Sequence, residues 1–204
     1  FWYIWPTKGS HRINRGIRLM SELRTNKIIP RDGLPSGATG GGILQVVTVN
    51  KTDAGTLAGS YTQDAEVLIS GLSLSITPSS ASNKIWLQGF VSHNVDSSQQ
   101  LSIFIARNGT NITPVGDAGD GSQKRAFVSA QGNQDYQEAW VVKTTPFWFM
   151  DSPATTSAIT YAVGGIAGVT GSNQIWINRS ERDNSGTGYD YRAVSNLTAW
   201  EISA

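Results

Sequence analysis

Two histidines, no cysteine and fifteen carboxylates set the acid–base and metal chemistry open to this chain. His93 lies in an apolar, alternating run, Phe90-Val91-Ser92-His93-Asn94, with no acid or nucleophile at a motif spacing. It reads as a sheet or interface side chain rather than a general base. The other, His11, belongs to the N-terminal stretch considered below. No G-x-S-x-G or H-E-x-x-H occurs, and Gly40-Gly41-Gly42 is not followed by the Lys-Ser/Thr and helix of a phosphate loop. Asp117 and Asp120, in Gly116–Gly121, could offer calcium two carboxylates. The alternating oxygen ligands and distal Glu of an EF-hand loop are missing, so a solvated turn is the better reading. Asp135, Glu138 and Asp151 are the carboxylates available for glycoside cleavage. That chemistry needs two of them at a defined separation, and no motif here sets one. We therefore expect no catalytic residue, no metal site and no cofactor.

Aromatic residues offer more. Glu181–Val194 (ERDNSGTGYDYRAV) is a long polar segment carrying Tyr189, Asp190, Tyr191 and Arg192. Sugars stack on aromatic faces while Asp, Asn and Arg hold their hydroxyls, so these four are candidate glycan or receptor contacts. The competing reading is a surface connection whose tyrosines pack on the edge of the fold. Trp140, Phe147, Trp148, Phe149, Trp176 and Trp200 suit core or intersubunit packing, because such rings bury large areas. Of these, Trp140, Phe147, Trp148, Trp176 and Trp200 are the candidate subunit interface.

These residues sit on strand-like runs separated by turn formers. Val67–Thr77 alternates cleanly, with Leu72, Leu74 and Ile76 opposed to Ser73, Ser75 and Thr77. Ile85–Val95 and Leu101–Arg107 repeat the pattern. Ile43–Asn50 is apolar on both faces, as for a strand buried on each side. Asn108-Gly109 precedes Thr110–Val115 and predicts a type I′ hairpin, whose two central residues need positive φ. Further runs are Arg125–Ala130, Tyr136–Val142, Pro146–Met150, Ala158–Val163, Gln174–Asn178 and Leu197–Ile202. No window shows a 3.6-residue period. The chain is read as all-β, a sandwich or barrel over 43–204.

Before Ile43 the character changes. Residues 20–42 hold Pro30, Gly33, Pro35 and the Gly40–Gly42 run, which forbid regular ladders and predict an extended anchor arm or linker. Lys27-Ile28-Ile29-Pro30 is its adhesive point and the candidate anchor. Residues 1–19 have no sustained period and read as a leader upstream of a start at Met20. Arg15-Gly16 can be written AGG-GGN, a ribosome-binding sequence at a suitable distance from that Met codon. The alternative is a genuine arm docking through Phe1, Trp2, Tyr3, Ile4 and Trp5.

Charge is divided along the chain. Residues 1–35 hold seven Lys/Arg against two carboxylates, a balance of +5, and residues 36–204 hold nine against thirteen, a balance of −4. The body has no basic stripe to neutralise phosphates, so no nucleic-acid partner is expected. Nothing in the sequence has the length of an apolar membrane span, so no membrane insertion is expected.

The string Gly71-Leu72-Ser73-Leu74-Ser75-Ile76-Thr77-Pro78-Ser79-Ser80, with Asn83-Lys84-Ile85 after it, resembles the opening of β-domains in phage virion proteins of marine and cyanobacterial phages. Asp151–Ala158, Ile175–Ser180 and Ala199-Trp200-Glu201-Ile202 follow in the same order, and Ser21–Gly33 is similar to the N-terminus of such proteins. The resemblance covers nearly all of 20–204. It implies a jelly roll of the C1q/TNF-like type, a homotrimer, and a role as fibre, tip or capsid decoration on the particle surface. The partners it implies are other copies of the chain and other virion proteins through the arm; the Tyr189–Arg192 residues add a host-surface glycan, and the alternatives are a carbohydrate-binding module for host recognition or a polysaccharide depolymerase.

Overall fold

The computed structural model describes residues 42–117, 124–131, 139–186 and 188–204. The leader 1–19, the anchor Lys27-Ile28-Ile29-Pro30, and Asp120, Asp135 and Glu138 lie outside them, as does all of the 20–42 arm except Gly42. The described residues contain eleven strands and no helix: β1 (Ile43–Lys51), β2 (Gly55–Thr56), β3 (Glu66–Ile76), β4 (Lys84–Val95), β5 (Leu101–Arg107), β6 (Thr110–Asn111), β7 (Val128–Gln131), β8 (Lys143–Asp151), β9 (Ile159–Ala167), β10 (Ile175–Ile177) and β11 (Ser195–Ile202).

The pairing explains the architecture. β5 pairs with β7, β4 with β8, β3 with β9 and β1 with β11, all antiparallel. The chain is thus a long two-stranded ribbon folded back on itself between β5 and β7. The ribbon then rolls: β11 closes against β4, and β9 closes against β5. Two sheets result, β1-β11-β4-β8 and β3-β9-β5-β7, with the short strands β10 and β2 extending the first and β6 the second. This is a jelly roll.

Alternation fills the space between the sheets. Leu72, Leu74 and Ile76 of β3, Ile85, Leu87 and Val91 of β4, and Leu101, Ile103 and Ile105 of β5 point inward and are buried. Phe147, Tyr161, Val163, Leu197 and Ala199 complete the core. Each fully buried aliphatic side chain contributes roughly 1.5–3 kcal/mol. Phe104 points outward yet is 2% exposed, because its ring lies across Gly164 of β9. A Cβ at Gly164 would meet that ring at 2.2 Å, so only glycine fits there.

Several expectations change. β1 is an edge strand: its Val47 and Val49 pack inward, but Ile43, Leu44 and Val46 are about half exposed. The reading of Ile43–Asn50 as buried on both faces fails because only one face meets the second sheet. The run Thr110–Val115 shortens to a two-residue strand. Ala139–Val142, the described end of Tyr136–Val142, is turn and loop rather than strand.

With no disulfide, three buried polar groups hold the corners. Glu201 on β11 accepts from Ser79 N and Oγ (both 2.7 Å), Asn83 Nδ2 (2.5 Å) and Gln45 Nε2 (2.6 Å), joining three separate segments. Asp151 on β8 accepts from Arg107 Nη1 (2.9 and 3.0 Å) and from the Tyr161 hydroxyl (2.6 Å), tying one sheet to the other. Asn178, wholly buried at φ 61°, donates to the carbonyls of Lys51 and Asp53 and accepts from Ser195 Oγ.

Two predictions follow from these contacts. Asn108 and Gly109 have φ of 50° and 85°, so replacing both with Val should cost about 1–3 kcal/mol in a denaturant titration; an unchanged midpoint would contradict the turn. For Glu201, burial pushes the pKa up, but the Asn83, Gln45 and Ser79 donors outweigh it and hold it at about 2, against an ordinary 4.5. A folded value below the unfolded one gives stability that is complete above pH 4.5 and lost as pH falls towards 2. Glu201→Gln should lower stability at pH 7 by ~2–3 kcal/mol and flatten the melting temperature between pH 4.5 and 2. An equally steep acid limb in the variant would remove Glu201 as its source.

Candidate functional site

Two aromatic surfaces emerge from the fold. The first is the outer face of the β1-β11-β4-β8 sheet. Strand pairing places Val46, Trp200, Trp86 and Met150 side by side in one row across all four strands. At a strand spacing of about 4.8 Å the row is about 14 Å wide. The next row is Thr48, Thr198, Gln88 and Trp148, and the third Asn50, Asn196, Phe90 and Pro146. Trp148 is 63% exposed, and Val46 and Met150 are also open. A depression of about 390 Å³ lies between Trp86, Phe90, Pro146 and Trp148. Among the outward positions of these four strands, Lys84 at one corner carries the single charge. The outer face of the other sheet carries Ser73, Ser75, Ser102 and Thr160 beside Leu68, Phe104, Ala162 and Gly164, and Ser75 and Thr160 bond at 3.0 Å.

The expected interface residues therefore separate. Trp148 is exposed and Trp200 half-buried on this face, and Trp140 is exposed elsewhere, in the loop site below. Phe147 (1%) and Trp176 (7%) are inside the molecule. Alternation along β8 decides this: Phe147 and Trp148 are consecutive and must point to opposite faces. Trp86 and Met150 belong to the face and were not singled out from the sequence. The signal that could have found them is cross-strand register, which no single strand displays.

The second surface is the segment from Arg179 to Ala193, between β10 and β11. Its base is closed by an Arg179–Arg192 bridge and by Ala193 N donating to the Asn178 carbonyl at 2.9 Å. Inside, Asp190 has a side chain only 3% exposed and accepts from Ser180 Oγ (3.0 Å), Arg182 (2.9 Å) and the Asn184 amide (3.2 Å). Burial raises its pKa, and Arg182, Ser180 and the Asn184 amide bring it below the ordinary value. Asp183 accepts from Arg192 Nε (3.0 Å) and Nη2 (2.8 Å) and pairs with Arg179 at 3.2 Å. The Arg192 hydrogen bond is the main cause of its lowered pKa. The Arg182 guanidinium also sits 5.2 Å over the Trp140 ring, and its amide donates to the Ala139 carbonyl.

The four expected contact residues thus take different roles. Asp190 is an internal tie rather than a ligand for an outside hydroxyl. Arg192 is paired with Asp183 while its side chain stays 67% exposed. Tyr189 and Tyr191 are 73% and 71% exposed, so they do not pack on the sandwich edge. Both side chains are open to solvent on either side of the tied Asp190.

The acid–base candidates are committed to structure. His93 is fully buried, with Nε2 2.9 Å from Thr145 Oγ1, and burial, aided by Lys143, lowers its pKa to about 4. Asp151 serves Arg107 and Tyr161. Among the described residues no group of three His, Asp or Glu could hold a metal.

No protein-family model matches this chain, and no curated protein sequence matches it. Similar solved structures are T=1 particles derived from infectious bursal virus, with 12% identity and a TM-score of 0.42, covering 86% of this chain and 44% of that one. A mutant VP2 protein of infectious bursal disease virus in derived T=1 particles has 12% identity and a TM-score of 0.39, covering 86% and 42%. The VP2 subviral particle of the same virus has 10% identity and a TM-score of 0.37, covering 78% and 41%. The chain spans less than half the length of each of these proteins.

Proposed function

We propose that this chain is a non-enzymatic structural protein of a phage particle, a fibre, tip or capsid decoration, that assembles as a homotrimer through the outer face of the β1-β11-β4-β8 sheet. The arm 20–42 would fix it to other virion proteins through Lys27-Ile28-Ile29-Pro30, leaving the sandwich exposed towards the host. The observation that carries the assembly is the Val46–Trp200–Trp86–Met150 row with Trp148 beside it. A four-stranded face with one corner charge and five large apolar side chains is the composition of an interface centre, where aromatics and Met are enriched and charges depleted. Identical copies meet across it without like-charge repulsion. Three-fold closure and the virion role come from the resemblance of Gly71–Ser80 and the segments after it. The jelly-roll pairing agrees with that resemblance.

Light scattering of the full chain should give three times the 21.9 kDa chain mass. Trp148 is too exposed to support the monomer, so Trp148→Ser should keep the far-UV circular dichroism spectrum. It should weaken association by ~2 kcal/mol or more, as for a central interface Trp. A dimer would retain the face and overturn the three-fold arrangement. A monomeric wild type, or a Trp148→Ser/Met150→Ser double variant as trimeric as wild type, would overturn the face itself.

A further inference from the structure

We propose that the outer side of the Arg179–Ala193 loop is a carbohydrate-binding platform for an uncharged glycan, with the Tyr189 and Tyr191 rings as its stacking surfaces. This deepens the host-facing part of the reading above, but it stands on the loop alone.

Three observations carry it. The first is the tyrosines themselves. At 73% and 71% they are the most exposed large side chains of apolar character among the described residues. Each offers a flat face and a hydroxyl at its tip, the pairing of surfaces that a sugar ring with an apolar face and a hydroxyl rim requires. They are two positions apart, so their Cα atoms are at most about 7 Å from one another, and one saccharide segment reaches both.

The second is preorganisation. A loop that merely connects β10 to β11 has no need of Asp190 held by three donors, Asp183 by two guanidinium groups, and a backbone bridge at its base. These ties fix the loop backbone while both tyrosine side chains stay exposed. Rigid presentation lowers the ordering cost that weakens ligand binding.

The third is charge. From Arg179 to Ala193 there are three arginines and three carboxylates. Arg179 and Arg192 share Asp183, and Arg182 holds Asp190. The loop has no net charge to attract uronates, sialates or phosphates. Glu181, the third carboxylate, is partly buried, and beside the two phenols the Arg192 side chain stays exposed.

The loop leaves the sheet at Ser195, five residues or about 17 Å along β11 from Trp200. Both surfaces can therefore be occupied in one particle.

The test uses the full chain on an immobilised panel of uncharged gluco-, galacto- and manno-configured oligosaccharides, with sialylated and uronate-bearing ones in parallel. Saturation-transfer NMR on the bound members follows. We expect binding to uncharged members, at least about tenfold weaker in Tyr189→Ala and Tyr191→Ala, and within a few-fold of wild type in Tyr191→Phe, which keeps the ring. No binding by wild type, binding confined to acidic members, or alanine variants equal to wild type would overturn the proposal. Light scattering on the same samples separates the two readings. A trimer that binds no glycan removes this inference and leaves the assembly. A monomer that binds through the tyrosines removes the assembly and leaves this inference.

Discussion

Strand β4 is hydrogen-bonded along both edges, to β11 and β10 on one side and to β8 on the other. Its period of two fixes what the whole first sheet shows. Ile85, Leu87 and Val91 face the second sheet, so Trp86, Gln88 and Phe90 must face away from it. Register transmits that choice: Trp200 and Met150 lie opposite Trp86, and Val46 lies opposite Trp200. A slip of one residue would bring the tryptophans into the core and expel Ile85 and Leu87. The inner core and the outer aromatic face are two consequences of one alignment.

Something must hold that alignment in a chain without cysteine. Hydrophobic contact is non-directional and tolerates sliding; the buried polar groups do not. Glu201 sits at one end of β11 and Ser195 at the other. Glu201 is bound to the β3–β4 turn and to β1, and Ser195 Oγ to Asn178 and the Ser92 amide. A shift of β11 by one residue would leave a buried carboxylate facing apolar neighbours. Asp151 does the same for β8, since its Arg107 and Tyr161 partners come from the opposite sheet. Such ties specify position more than they add net stability.

Much of this was legible from the sequence, and what was not has a common cause. Alternation located β3, β4, β5 and β9 to within a few residues, and Asn108-Gly109 gave its hairpin from the φ requirement alone. The failures concern partners. Ile43–Asn50 was apolar on both faces, yet apolar character does not say whether anything covers a face; here β1 lies at an edge with Leu44 and Val46 open. Phe147 and Trp148 were grouped by type, although adjacent strand residues are bound to separate. In the loop, Asp190 reads like a ligand because Tyr-Asp-Tyr-Arg looks uniformly outward. Its assignment to Arg182, eight positions earlier, depends on how the loop folds back.

Aromatic rings occur in both surfaces, so their settings must decide what each can hold. On the sheet the rings lie among Val46, Met150 and Pro146, spread over four strands, and the polar Thr48, Thr198, Asn50 and Asn196 bond to one another. Such a face gains most from burying area, which only another large apolar surface supplies. On the loop the rings are open to solvent, each ends in a hydroxyl, and the loop's formal charges sum to zero. That setting gains little from area and more from stacking with directional hydrogen bonds. The tryptophans concentrate where area counts and the exposed tyrosines where a polar tip counts. The distribution of one residue class across the sandwich thus separates the surface proposed for self-association from the surface proposed for glycan binding.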